Sequence, residues 1–148
     1  MKIAVSACLL GENCKYNGGN NLSEKLVNFL KDHEVISVCP EVLGGLPTPR
    51  EPAEIVNGIV KRKDGVSVDD KFRKGADAAY KIVAKQEVDL VILQSRSPSC
   101  GVNTIYDGTF SKTKISGDGV FAKMLKDNGI KVMDVADILD ESGFTIKA

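Results

Sequence analysis

The chain has no excess of charge of either sign: twenty Lys and Arg residues balance twenty Asp and Glu over 148 positions. That neutrality argues against a nucleic-acid polymer as partner, because such surfaces carry a basic excess or stripe. The densest basic stretch, Lys61-Arg62-Lys63, runs straight into Asp64 and reads as a solvated loop edge. No apolar run approaches the roughly 20 residues a spanning helix needs, so no membrane segment is expected. The opening MKIAVSACLL breaks off at Gly11 without a small-residue cleavage site. It reads as a first core strand, which makes a cytoplasmic protein the expectation. Histidine is nearly absent: His33 alone closes an expected helix, where a cation suits the dipole, so histidine-based catalysis is not expected. No repeat, low-complexity tract or linker divides the chain, and residues 1–148 suit one domain with a real core.

What is present alternates. KIAVSAC (2–8), EVISVC (34–39), VDLVILQ (88–94) and IKVMDV (130–135) read as buried strands. Helical spacing marks 21–33, with Asn20 or Asn21 as N-cap, then 69–87 and 117–129, with a short terminal helix in ADILDES. Asn57-Gly58 and Asp107-Gly108 mark two hairpins, over 53–65 and 104–115. Continuous apolar strands alternating with amphipathic helices imply parallel crossovers. The expected fold is a three-layer α/β/α domain: a mainly parallel, Rossmann-like sheet with two inserted hairpins.

Three cysteines, Cys8, Cys39 and Cys100, each end an expected core strand, and each has Gly or Pro within three residues. Ligands of open parallel sheets bind beyond the carboxyl ends of the strands. All three thiols should therefore meet at one edge. There is no Cys-x-x-Cys pair to build a local zinc ribbon. In a cytoplasmic protein, metal binding, catalysis or burial are the remaining uses of cysteine. Cys14, in a turn-rich segment, is available as a fourth thiolate for zinc or a closed iron–sulfur cluster; three thiolates would leave a metal position open. The sequence GDG at 117–119 reads as a helix start.

VSACLLGENCKYNGG, CPEVLGGLPTPREPAEIV and SRSPSCG, in that order, resemble a family long catalogued as a domain of unknown function. Its characterised members are thiouracil desulfidases, and the resemblance runs from about Lys2 to about Leu139. It implies a [4Fe-4S] cluster held by Cys8, Cys39 and Cys100, with one iron not bound by protein. That iron would take sulfur from a thiolated nucleobase or related small thio-compound, releasing hydrogen sulfide and leaving a carbonyl. Cys14 is not a ligand in that picture. The alternative is a binding or redox module using the same cysteines for zinc or thiol chemistry.

Within this frame Glu41, two residues after Cys39, is the candidate base. Ser97 and Ser99 are candidates to orient water or to hydrogen-bond the base. Arg50 and Arg96 could hold a carbonyl or phosphate group of the substrate, Asn17 could line the pocket, and Tyr16 could stack on the base. Each has a plain alternative: a Glu41–Arg50 ion pair, serine backbone caps, an Asn17 turn.

Overall fold

The computed structural model describes residues 1–139. The first apolar run forms β1 (Lys2–Ser6), which passes into a 3-10 turn (Ala7–Leu10). Then come α1 (Glu24–Leu30), β2 (Glu34–Val38) and a short helix α2 (Pro40–Leu43). The hairpin of β3 (Ala53–Val56) and β4 (Ile59–Arg62) leads to the long helix α3 (Asp69–Gln86) and to β5 (Leu90–Leu93). A second hairpin, β6 (Thr104–Tyr106) with β7 (Lys114–Ser116), precedes α4 (Val120–Asp127), β8 (Val132–Asp134) and α5 (Val135–Leu139).

The four apolar strands make one parallel sheet in the order β2-β1-β5-β8, with Ala4 paired to both Ile36 and Val91. The two-residue period of a strand sorts the core into two layers. Ile3, Val5, Leu90 and Ile92 pack with Leu26 and Leu30 of α1 and Ile138 of α5. Ala4, Val91 and Leu93 pack on the other face against Phe72 and Ala76 of α3 and Phe121 and Leu125 of α4. The expected three-layer α/β/α architecture with two hairpins is the one formed. Among the described residues no helix is long and apolar enough to cross a membrane.

Four local expectations change. Helix α1 begins at Glu24 and not Asn21, because the preceding segment is drawn back onto the 3-10 turn: Asn21 N donates to Cys8 O (2.9 Å) and Ser23 N to Leu9 O (3.1 Å). Ser23, whose Oγ accepts from Leu26 N, is the cap. His33 lies beyond the helix end, 3.1 Å from the Met1 amine and stacked obliquely on Phe29, a structural position. The turn between β6 and β7 is not a tight Asp-Gly turn; it spans 107–113 and is closed by Asp107 N donating to Thr113 O (2.9 Å). Helix α4 starts at Val120, with Gly117 and Gly119 bonded back to Asn103 O and Gly101 O. The expected terminal helix extends to residue 142, and 140–142 lie outside the described residues.

Helix α2 is an element that periodicity did not reveal. Cys39 stands at its N-cap and Pro40 at its first turn, where the missing amide costs nothing. It packs against α3 backbone to backbone: a Cβ on Gly75 would lie 1.8 Å from Pro40 O, and one on Gly44 would lie 2.0 Å from Lys71 O. Those two glycines fix where Cys39 and Glu41 point.

Candidate active site

Beyond the carboxyl ends of β1, β2 and β5 lies a cavity of about 480 Å³ whose lining includes all four cysteines. Cys8 belongs to the 3-10 turn after β1, Cys39 caps α2 after β2, and Cys100 lies in the loop after β5. The fold brings together thiols far apart in sequence, as the sheet topology demands. Each is a free cysteine.

Their environments differ. Cys100 is 5% exposed. Burial pushes its thiol well above the ordinary range, and hydrogen bonds from Ser6 and Ser99 offset part of this. Burial also raises Cys8, opposed by Asn21, whose Nδ2 lies 3.5 Å from the sulfur; neighbouring Cys39 and Glu41 add to the rise. Cys14 is pushed up to about 12, by burial first and then by the charge of and a hydrogen bond with Cys39. Cys39 thus raises both Cys8 and Cys14, and Cys8 raises Cys14 and Cys100. No group of three or more His, Cys, Asp or Glu among the described residues stands in an arrangement that holds a metal ion.

Glu41 is wired on both oxygens. Oε1 accepts from Arg50 Nε (3.2 Å) and Nη2 (3.1 Å); Oε2 accepts from Ser99 Oγ (2.7 Å), with Ser97 Oγ at 3.4 Å. Each serine hydroxyl has one proton to place among these acceptors. Ser99 Oγ also lies 2.9 Å from Ser97 Oγ and 3.7 Å from the Cys100 sulfur, and Ser97 Oγ accepts from the Ser99 and Cys100 amides (3.1 Å each). The serines are therefore both backbone caps and partners of the carboxylate. Breaking a buried charge pair on one side costs about 3–5 kcal/mol, and Glu41 and Arg50 side chains are only 16% and 7% exposed.

Arg50 is saturated. Besides Glu41, its Nη1 reaches Pro47 O and Thr48 Oγ1, and its Nη2 reaches Cys14 O at 2.8 Å. It clamps the Cys14 segment to α2 and leaves no donor for a guest. Arg96 lines the cavity half-buried, with no side-chain hydrogen bond or ion pair to a described residue. Tyr16 lines the cavity and is 42% exposed. Asn17 does not line it: its Oδ1 accepts from Gly19 N (2.9 Å), so the side chain builds a turn on the exposed surface. The asparagine of that segment that reaches a sulfur is Asn21, expected only as a helix cap; no periodicity signals such a contact. The amides that open α4 are committed to Pro98 O and Ser99 O and hold the Cys100 loop instead of an anion.

A family model described as 2-thiouracil desulfurase matches residues 3–137. A Bacillus subtilis (strain 168) protein, uncharacterized protein YbbK, is 38% identical over 148 residues, covering 93% of this chain and 98% of its own length. Among solved structures, the [4Fe-4S]-dependent thiouracil desulfidase TudS is similar at a TM-score of 0.87 and 36% identity, over 94% of this chain and 93% of that one. The family match spans all three cysteine-bearing strand ends and the Glu41 network between them, so the chain belongs to the 2-thiouracil desulfurase family and is a desulfidase.

Proposed function

We propose that this protein removes sulfur from a thiolated nucleobase such as thiouracil: the C=S carbon takes oxygen from water and the sulfur leaves as hydrogen sulfide. Cys8, Cys39 and Cys100 would hold a [4Fe-4S] cluster, the group on which the solved relative depends. The donor set fits: soft thiols, one buried and two half-buried, with no histidine in the cavity lining suit iron–sulfur ligation. When bound, the cluster supplies an open soft Lewis acid that polarises the C=S bond.

The rest falls to side chains. Glu41 takes a proton from the attacking water through the oxygen that Ser99 orients. Arg50 keeps the carboxylate aimed, and the Ser97–Ser99 pair holds its torsion. Arg96 meets the carbonyl or another electronegative edge of the guest. The observation that carries the reading is the single cavity in which strand-end thiols from three separate elements face the wired Glu41. Four free thiols suit a reducing compartment such as the cytoplasm.

The test is anaerobic reconstitution followed by a sulfide-release assay over thiolated bases and nucleosides. Iron, acid-labile sulfide and turnover are expected; reconstituted protein with neither iron nor sulfide ends the reading. One observation favours a thiol-redox alternative, the hydrogen bond between Cys14 and Cys39. Cys14→Ser separates the two: the desulfidase keeps releasing sulfide, whereas a Cys14–Cys39 redox couple is lost.

A further inference from the structure

The cavity is lined by three aromatic side chains, Tyr16, Tyr106 and Phe110. Tyr16 already carries a cation over its ring, Lys15 Nζ at 5.7 Å. Phe110 is held differently. It sits in the 107–113 connection with φ +58°, a backbone region that a bulky residue rarely enters. Such a conformation persists only where its surroundings over-determine it, and it concentrates at ligand sites.

The surroundings here are specific. Glu54 of β3, 9% exposed, uses one oxygen to accept from both Gly108 N (3.0 Å) and Phe110 N (3.2 Å). Gly108 lies so close to β3 that a Cβ would stand 2.7 Å from Ile55 O. Asp107 Oδ1 accepts from Thr109 N and Oγ1 (2.9 and 2.6 Å), and Ser111 Oγ meets Thr113 Oγ1 at 2.8 Å. The loop is thus built as a rigid mount, and the side chain it presents to the cavity is a flat apolar ring. A thiolated pyrimidine offers two π faces and a rim of polar atoms. Pre-ordered aromatic surface binds such a ring without an ordering cost at the moment of binding.

We propose that Phe110 is the stacking platform for the substrate's heterocycle and that Glu54 is the positioning residue that holds it at the cavity wall. The proposal rests on the desulfidase reading and extends it to how the base is held.

The experiment uses anaerobically reconstituted protein, with uracil binding followed by calorimetry and thiouracil turnover resolved into kcat and KM. Phe110→Ala should weaken uracil binding and raise KM by about tenfold or more, with kcat changed by less than about threefold. Phe110→Trp should restore both. Glu54→Ala should repeat the KM rise, and Glu54→Gln, which keeps the accepting oxygen, should rescue it. If Glu54→Ala does not fold, the Phe110 pair decides. Wild-type uracil affinity in Phe110→Ala, or a Glu54→Ala that loses kcat at unchanged KM, overturns the proposal while the enzyme remains a desulfidase. Wild-type protein that releases no sulfide from any thiobase overturns the desulfidase reading itself.

Discussion

The two walls of the cavity differ in how their side chains are committed. On the sheet-edge wall the groups around the thiols are spoken for: both oxygens of Glu41, every donor nitrogen of Arg50, the hydroxyls of Ser97 and Ser99 and the Cys8 and Cys100 sulfurs have protein partners. By the hairpins, Lys63 and Lys112, joined by Arg96 of the loop after β5, line the same cavity with no side-chain hydrogen bond or ion pair to a described residue. The difference follows the demands of the two jobs. Groups that stabilise developing charge must be oriented before reaction, or the energy of orienting them is lost at the barrier. Groups that meet an incoming guest keep their donors free for it.

Replacing a residue of the wired wall should cost most. Cys8→Ser, Cys39→Ser or Cys100→Ser should abolish iron loading, measured as iron per chain after reconstitution, and should abolish sulfide release with it. Glu41→Gln keeps the shape and the Arg50 contact but removes the proposed base; kcat should fall by about 10²–10⁴ with iron content unchanged. A fall of less than tenfold would move the proton transfer to another group. Gly75→Ala tests the foundation beneath the wall. The new methyl meets Pro40 O at 1.8 Å, so overpacking of about 2–3 kcal/mol should outweigh the gain of about 1 in helix propensity. A fall in Tm of roughly 2–8 °C is expected, together with weakened iron loading as Cys39 shifts.

The foundation of the open wall should yield the smallest effect. Asp69 accepts from Val60 N (3.0 Å) and from Arg73 Nε (3.0 Å), and Arg73 Nη2 also reaches Gly58 O at the hairpin turn. Burial alone would raise the Asp69 carboxyl, but the Arg73 and Val60 hydrogen bonds outweigh it and hold it below its ordinary value. A depressed folded pKa contributes stability that is present above the unfolded value, near 4, and is lost as pH falls through the folded one. Urea midpoints at pH 7 and pH 3 should therefore differ less in Asp69→Asn than in the parent, by about 0.5 kcal/mol, the size of an exposed i,i+4 pair.

The sheet, α3 and the β3–β4 hairpin were legible in the sequence because their signals are local: apolar runs, a helical period and Asn57-Gly58. The meeting of Cys8, Cys39 and Cys100 was legible too, because parallel topology sends successive strand ends to one edge. Helix α2 was not, since four residues starting at proline show no period, and its place depends on Gly75, thirty-five residues after Pro40. Asn21 and Asn17 exchanged roles for the same reason: which asparagine meets sulfur is set by where the 3-10 turn folds back. Arg50 was readable as a binding residue or an ion pair, and only the three-dimensional count of its donors decides for the pair. The Glu54–Phe110 mount joins β3 to a loop more than fifty residues later and left no local trace.

The central claim is that sulfur leaves the base as sulfide and oxygen arrives from water, at a cavity built by three strand-end cysteines. Turnover of thiouracil in ¹⁸O-water by anaerobically reconstituted protein tests it directly. The account predicts one sulfide per uracil formed, with a single ¹⁸O at the former thiocarbonyl carbon. Unlabelled uracil, or uracil without matching sulfide, would contradict it.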